Sequence, residues 1–241
     1  MSVFRFTTHV GYPDVEHTFC LSLTGALRMM QEAAAIHSDS LGFSFRTVAQ
    51  TRVHWVLVGW QVEMVGKAHW NETVHVDTWP KTMERVTSKR DFEIRNEKEE
   101  LICRATSNWI LVSADTGRAA RITPEIASAY PLDARDAFEK ELLMPDLDDG
   151  EETWDFTVQR RDLDTNRHVN NLIYLDYARQ ALPETIWQVQ FPLMSIRYSR
   201  ELLLGKHVRC IYRKGEGVHT VELRSDTDVL HASVNFFEHN M

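Results

Sequence analysis

The stretch Asp162-Leu163-Asp164-Thr165-Asn166-Arg167-His168-Val169-Asn170-Asn171 runs directly into the apolar segment from Leu172 to Ala181. It gathers two carboxylates, three carboxamides and an imidazole. Val169, Leu172, Ile173, Tyr177 and Ala181 then follow i, i+3, i+4 spacing, which predicts a helix over 168–182 ended by Pro183. Polar chemistry therefore sits at the mouth of a buried helix. A helix start offers unpaired N–H groups and a partial positive charge, so a carbonyl placed there would be polarised as it became an oxyanion.

Outward from this stretch the chain reads as two copies of one pattern. Trp154-Asp155-Phe156-Thr157 echoes Phe4-Arg5-Phe6-Thr7, helix 168–182 echoes a helix over 22–41, and Ala232-Ser233-Val234-Asn235-Phe236 echoes Ala105-Thr106-Ser107-Asn108-Trp109. In the first copy, a strand over Phe4 to Thr8 precedes the helix. Ser22 or Thr24 caps that helix, Leu23, Leu27, Met30, Ala34 and Leu41 share its stripe, and Gly42 stops it. Alternating runs at 52–65, 72–80, 86–96 and 100–113 predict four strands, with turns such as Asn96-Glu97-Lys98 between them. The second copy places its later strands near 187–200, 206–214, 217–225 and 229–238. One helix followed by antiparallel strands is the order of a sheet wrapped around a helix, so the expected fold is α+β, two tandem hot dog domains. Pro124, Pro131, Pro145 and an acidic patch from Asp146 to Glu152 break the rhythm between them. The boundaries expected are an N-terminal domain over 1–128, a linker over 129–152 and a C-terminal domain over 153–241.

Simpler readings of the central stretch compete. Asp162, Asp164 and Asn166 imitate the start of a calcium loop, but that loop needs Gly where Arg167 stands and a bidentate Glu where Ile173 stands. Zinc would need several converging His or Cys, and the sequence has neither an HExxH nor a CxxC pair. A plain capping loop remains open on composition alone, because Asp and Asn end strands and begin helices. Met29, Met30 and Ala33-Ala34-Ala35 read as core packing, with a tunnel for an apolar chain as the sharper alternative.

The quoted residues resemble a known family. Asp164-x-Asn166-x-His168-Val169-Asn170-Asn171-x-x-Tyr174 is similar to the signature of acyl-acyl carrier protein thioesterases, the plant-type enzymes and their bacterial relatives. In the same order, His54-Trp55-Val56, Gln61-Val62, Trp70, Val76-Asp77-Thr78-Trp79, Arg90-Asp91, Arg104-Ala105-Thr106-Ser107, Trp109 and Tyr198-Ser199-Arg200-Glu201 look like that family, over most of residues 4–238. The resemblance implies a double hot dog fold and hydrolysis of acyl-carrier thioesters that ends fatty acid synthesis. It assigns Asp164, Asn166, His168 and Glu201 to the catalytic network, with Glu201 or Asp164 as general base on water. It also implies an acyl pocket in the N-terminal domain, for which Met29, Met30, Ala33, Trp55 and Trp60 are the candidates. Many plant members carry Cys next to the Glu, where Leu202 stands here, which favours direct attack by water over an acyl-enzyme.

The formal charge is −8, which argues against a nucleic-acid binder and an anionic membrane surface. An acidic carrier protein then needs a local basic patch, and Arg160, Arg161 and Arg167 flank the motif. No cofactor or metal is expected, and further pairing into a homodimer is left open. Three scattered cysteines suggest no disulfide framework, and neither a signal-like apolar core nor a membrane-length apolar run is seen, so the expected compartment is the cytoplasm. The alternatives are an acyl-CoA thioesterase of the hot dog superfamily, a non-catalytic acyl-binding hot dog protein and, as a minor one, a hydroxyacyl dehydratase.

Overall fold

A computed structural model describes residues 3–138, 142 and 144–239. The chain divides into two compact units, Met1–Glu139 and Lys140–Met241. In the first, β1 (Phe4–His9) leads to α1 (Leu23–Ser40), then α2 (Val48–Thr51), β2 (Val53–Met64), β3 (Thr73–Glu84), β4 (Thr87–Asn96), β5 (Leu101–Ser113) and α3 (Pro124–Ala129). The strands pair antiparallel in the order β1-β3-β4-β5-β2, and α1 packs on β1, β2 and β3.

The start of α1 follows from its sequence. The Ser22 hydroxyl accepts the Gly25 amide at 3.0 Å, meeting one of the unpaired donors of the first turn. Leu23, Ala26, Leu27, Met29, Met30, Ala33 and Ala34 are all buried, and Gly42, at φ +83°, takes the left-handed turn after the helix. Truncating Leu27 or Met30 to Ala would cost about 2–5 kcal/mol, because both are almost wholly removed from water.

The second unit repeats the plan with β6 (Glu151–Thr157), α4 (Asn171–Gln180), β7 (Leu193–Tyr198), β8 (His207–Gly215), β9 (Val218–Arg224) and β10 (Leu230–Phe237). Its order is β7-β10-β9-β8-β6, antiparallel throughout, with α4 against β9 and β10. Each unit is thus an antiparallel sheet with a helix on it, the expected α+β double hot dog. No helix among the described residues is long and apolar enough to cross a membrane.

Three expectations shift. The helix expected over 168–182 spans only Asn171–Gln180, because residues 163–169 form a turn whose ends are held by isolated bridges, Leu163 to Val169 and His168 to Leu203. The strand expected over 187–200 is confined to Leu193–Tyr198, and Trp187 and Val189 in the preceding segment are exposed. The stretch expected to connect the domains is partly packed: Tyr130 and Ala137 are buried in the first unit, and Glu151 and Glu152 already lie in β6.

Residues quoted for the family resemblance clasp that connecting stretch. The Trp79 indole donates to the Arg135 carbonyl at 3.1 Å while the Arg135 guanidinium lies over its ring. The Asp91 carboxylate accepts the Ala137 amide at 2.9 Å, and Arg104 donates to the Ala137 carbonyl at 3.3 Å while pairing with buried Glu63 at 2.5 Å.

Candidate active site

The site is built on the buried carboxylate of Asp162. One of its oxygens accepts the Gln159 amide at 2.7 Å, closing a single 3-10 turn over Arg160–Asp162, and its main-chain carbonyl accepts the Asn170 amide at 2.8 Å. Those two bonds bring both ends of the loop 163–169 together. Inside it the Asp164 amide donates to the His168 carbonyl at 2.8 Å, and Arg167 turns the chain at φ +64°. Asp164 Oδ1 accepts the amides of Asn166 and His168 at 2.8 and 3.4 Å, so one oxygen of this carboxylate is committed to the loop.

The second strand of the site comes from the turn after β7. The Val169 amide donates to the Leu202 carbonyl at 2.9 Å, and the Leu202 amide donates to the Tyr174 hydroxyl of α4 at 2.9 Å. The Leu202 side chain is fully buried, which anchors the turn in the core and leaves its neighbour Glu201 exposed. His168 Nδ1 then lies 3.4 Å from Glu201 Oε2, with side-chain exposures of 40% and 61%. That separation is long for a hydrogen bond but short enough for a shared water or a substrate atom to be held by both groups. Asn166 is exposed in the same loop as His168, and among the described residues its carboxamide has no partner.

Burial raises the Tyr174 hydroxyl to about 12; its bond to the Leu202 amide opposes this, and the nearby charges of Glu201 and Asp164 add to it. The phenol stays protonated at neutral pH. Tyr198 donates to the Asn171 carbonyl at 2.9 Å and stacks edge-on against Tyr174 at 5.3 Å, so buried Tyr174 and half-buried Tyr198 tie the start of α4 to β7 and the Glu201 turn.

The four residues singled out as a network, Asp164, Asn166, His168 and Glu201, fall on these two adjoining segments. The helix mouth does not contribute as expected. Asn170 caps α4, its side chain accepting the Leu172 amide at 3.0 Å and its carbonyl the Ile173 amide at 2.9 Å, so these first-turn donors are occupied. Glu201 faces His168, and neither Arg197 nor Arg200 pairs with it among the described residues.

Arg160, Arg161 and Arg167 are all exposed on the same loop, Arg161 lying 3.7 Å from Asp162 Oδ1. Arg197 and Arg200 are exposed as well and extend the basic character on the Glu201 side. Of the pocket candidates, Met29, Met30 and Ala33 are buried on one face of α1. Trp60 is buried against Phe92 at 5.0 Å between ring centres, and Trp55 is half-buried with its indole donating to the Tyr130 hydroxyl at 3.2 Å. A cavity of about 330 Å³ in the first unit, lined by Lys81, Thr82, Lys89 and Trp109 among others, contains none of the five.

Thiol chemistry has no foothold beside Glu201. Position 202 is fully buried, and the Cys210 thiol on β8 is pushed up by burial to about 12. Burial raises the Cys103 thiol too, and Cys20 and Cys103 belong to the first unit. Among the described residues, no group of three His, Cys, Asp or Glu could hold a metal ion.

Comparison with known proteins bears on both halves. Residues 2–130 match the model of the acyl-ACP thioesterase N-terminal domain, and residues 146–236 match that of the C-terminal domain. The chain is 29% identical over 192 residues to an oleoyl-acyl carrier protein thioesterase of Arabidopsis thaliana, covering 72% of this chain and 52% of that protein. It is 25% identical over 259 residues to a dodecanoyl-[acyl-carrier-protein] hydrolase of Cinnamomum camphora, covering 97% and 67%. The chain spans about half the length of the curated relatives it matches first. Among solved structures, an acyl-ACP thioesterase from Bacteroides thetaiotaomicron superposes with a TM-score of 0.87 at 18% identity, over 98% of this chain and 97% of that one. A 12:0-ACP thioesterase from Umbellularia californica gives 0.82 at 22% identity, over 98% and 97%. At these identities the likeness is one of fold.

Proposed function

The chain belongs to the acyl-ACP thioesterase family, and on that premise we propose that it hydrolyses acyl-acyl carrier protein to free fatty acid, using water activated by Glu201. The observation that carries the reading is the approach of Glu201 to His168, two side chains that sequence separates and the fold brings to 3.4 Å. Glu201 is the better general base of the two carboxylates, because Asp164 already accepts two loop amides. A water held between Glu201 and His168 gives its proton to Glu201 as its oxygen attacks the thioester carbonyl. The unpartnered Asn166 carboxamide and the imidazole orient and polarise that carbonyl. Collapse of the tetrahedral intermediate breaks the C–S bond, and the proton on Glu201 returns to the departing thiolate. Water is the nucleophile throughout, consistent with the buried leucine at position 202.

The acyl donor presents its thioester on the pantetheine arm of an acidic carrier protein, and Arg160, Arg161 and Arg167 supply the complementary charge beside the loop. The acyl chain is assigned to the first unit, along the α1 face of Met29, Met30 and Ala33 and toward Trp55 and Trp60, whose packing must open to admit it. A reducing compartment, the cytoplasm, agrees with three cysteines that are all free thiols. The test is incubation of the purified protein with matched ladders of acyl-carrier and acyl-CoA thioesters, measuring released fatty acid. Release from the carrier ladder, lost in Glu201→Ala, supports the reading. Release from the CoA ladder alone replaces the carrier with CoA, and no release from either refutes it.

A further inference from the structure

Glu201 is exposed and lies in a turn without regular structure, yet its use as a base requires its carboxylate to stay within reach of His168. The main chain supplies part of the restraint: the His231 carbonyl on β10 accepts the amides of Ser199 at 2.8 Å and Arg200 at 3.2 Å. The His231 side chain supplies more. Its Nδ1 lies 3.2 Å from the Arg200 carbonyl oxygen and 3.1 Å from the Glu201 carbonyl oxygen. Carbonyl oxygens only accept, so Nδ1 carries the proton and makes a bifurcated bond to the two peptide units on either side of the Glu201 α-carbon.

The first unit shows what this fold does without that imidazole. Ile102 of β5 occupies the corresponding position, and its carbonyl accepts the amides of Val65 and Gly66, both at 2.9 Å. The main-chain clasp is therefore common to both units. The isoleucine has no donor to add, and the residue in the place of Glu201 is Lys67. The additional bond accompanies the copy that holds a carboxylate to be aimed.

We propose that His231 is a positioning residue for the reaction, its Nδ1–H fixing the backbone that carries Glu201 so that the carboxylate stays on the water shared with His168. The inference rests on the hydrolase reading of the site. It acts through Glu201 alone, and this separates it from a general structural role.

The test is a mutant cycle in the full chain with an acyl-carrier substrate. His231→Ala should lower kcat by about tenfold with KM changed by less than about twofold, a fraction of the loss expected from misplacing a catalytic group by an ångström. His231→Gln, whose amide N–H can donate to the same carbonyls, should recover most of the rate. In the Glu201→Ala background, His231→Ala should cause no further loss. An unchanged kcat in His231→Ala, no rescue by Gln, or an equal loss with and without Glu201 would overturn the proposal. If the wild-type protein releases no fatty acid, the hydrolase reading fails first, and hydrogen exchange at the Ser199 and Arg200 amides still reports whether His231→Ala loosens the turn. Unaltered exchange there would overturn the positioning role on its own.

Discussion

The loops that precede α1 and α4 are the same object built twice. In the first, Asp14 accepts the Gly11 amide through its side chain and the Ser22 amide through its carbonyl. In the second, Asp162 does the same for Gln159 and Asn170. Val15 bridges Leu21 as Leu163 bridges Val169, and Phe19 takes φ +60° where Arg167 takes +64°. The Leu21 amide bonds the Ala68 carbonyl as the Val169 amide bonds that of Leu202. In this frame Asp164, Asn166, His168 and Glu201 correspond to Glu16, Thr18, Cys20 and Lys67. The backbone is held in common, and the four side chains differ between the copies. The geometry of the loop is therefore a property of the fold, and the four side chains are what can be changed without rebuilding it.

The sharpest way to break this comparison is to treat both copies alike. Glu201→Ala or His168→Ala should reduce kcat by about 10²–10⁴, the range for removing a positioned acid–base group. Lys67→Ala and Cys20→Ala should leave it within about twofold, since surface and half-buried changes away from the chemistry act weakly. Parallel progress curves on acyl-carrier thioester decide the matter. A loss from Lys67→Ala as deep as that from Glu201→Ala would mean that both copies take part.

A smaller effect tests the shared scaffold. Asp14 and Asp162 are both buried, but Asp14 also pairs with the guanidinium of Arg28 through two contacts, whereas Arg161 stays 3.7 Å from Asp162. Asp14→Ala should therefore destabilise more than Asp162→Ala, about 2–3 against about 1–2 kcal/mol, as each leaves a loop amide without its acceptor. Urea unfolding followed by tryptophan fluorescence measures both, and a reversed order would show that the Arg28 pair contributes nothing.

How much of this was legible depended on range along the chain. Helix α1 was, because seven of its buried residues are apolar and recur at helical spacing along an 18-residue segment. The start of α4 was misplaced since Val169 fits a helical stripe while its backbone bridges Leu163, a pairing that no local period reveals. The repeat was visible but slipped. By hydrogen-bond frame, Thr8 corresponds to Phe156 and Ala105 to Val234, each two residues from the echo read in the sequence. A slip of two keeps every side chain on its own face of a strand, so hydrophobic pattern cannot detect it. Asp164, Asn166 and His168 stood out by their density, whereas Glu201 was reached only through the family resemblance. His231 carried no signal, a lone histidine on a strand whose bond to the Glu201 turn exists only once β10 pairs with β7.

Histidines sharpen the comparison in a further direction, because each unit holds one whose titration runs opposite to the other's. His37 on α1 is buried, its Nδ1 accepting a bond from Arg90 at 2.9 Å; burial, then the Arg90 charge, lowers it to about 4. The unfolded chain takes up that proton near about 6.5, so the stability that His37 contributes is complete above that pH and is lost as pH falls toward about 4. His207 on β8 lies between Asp155 at 2.9 Å and Asp226 at 2.6 Å, and those two hydrogen bonds raise it. Its contribution is complete below about 6.5 and is lost as pH rises through the raised value. Thermal midpoints of the wild type, His37→Gln and His207→Gln between pH 4 and pH 9 separate the two, with the expected differences confined to the acid limb for His37 and the alkaline limb for His207. The His207 effect is the smaller, because both carboxylates are solvent-exposed and screened by salt. A His207→Gln curve parallel to the wild type across the alkaline limb would show that the bracket of aspartates holds the ring in place without stabilising the strands it joins.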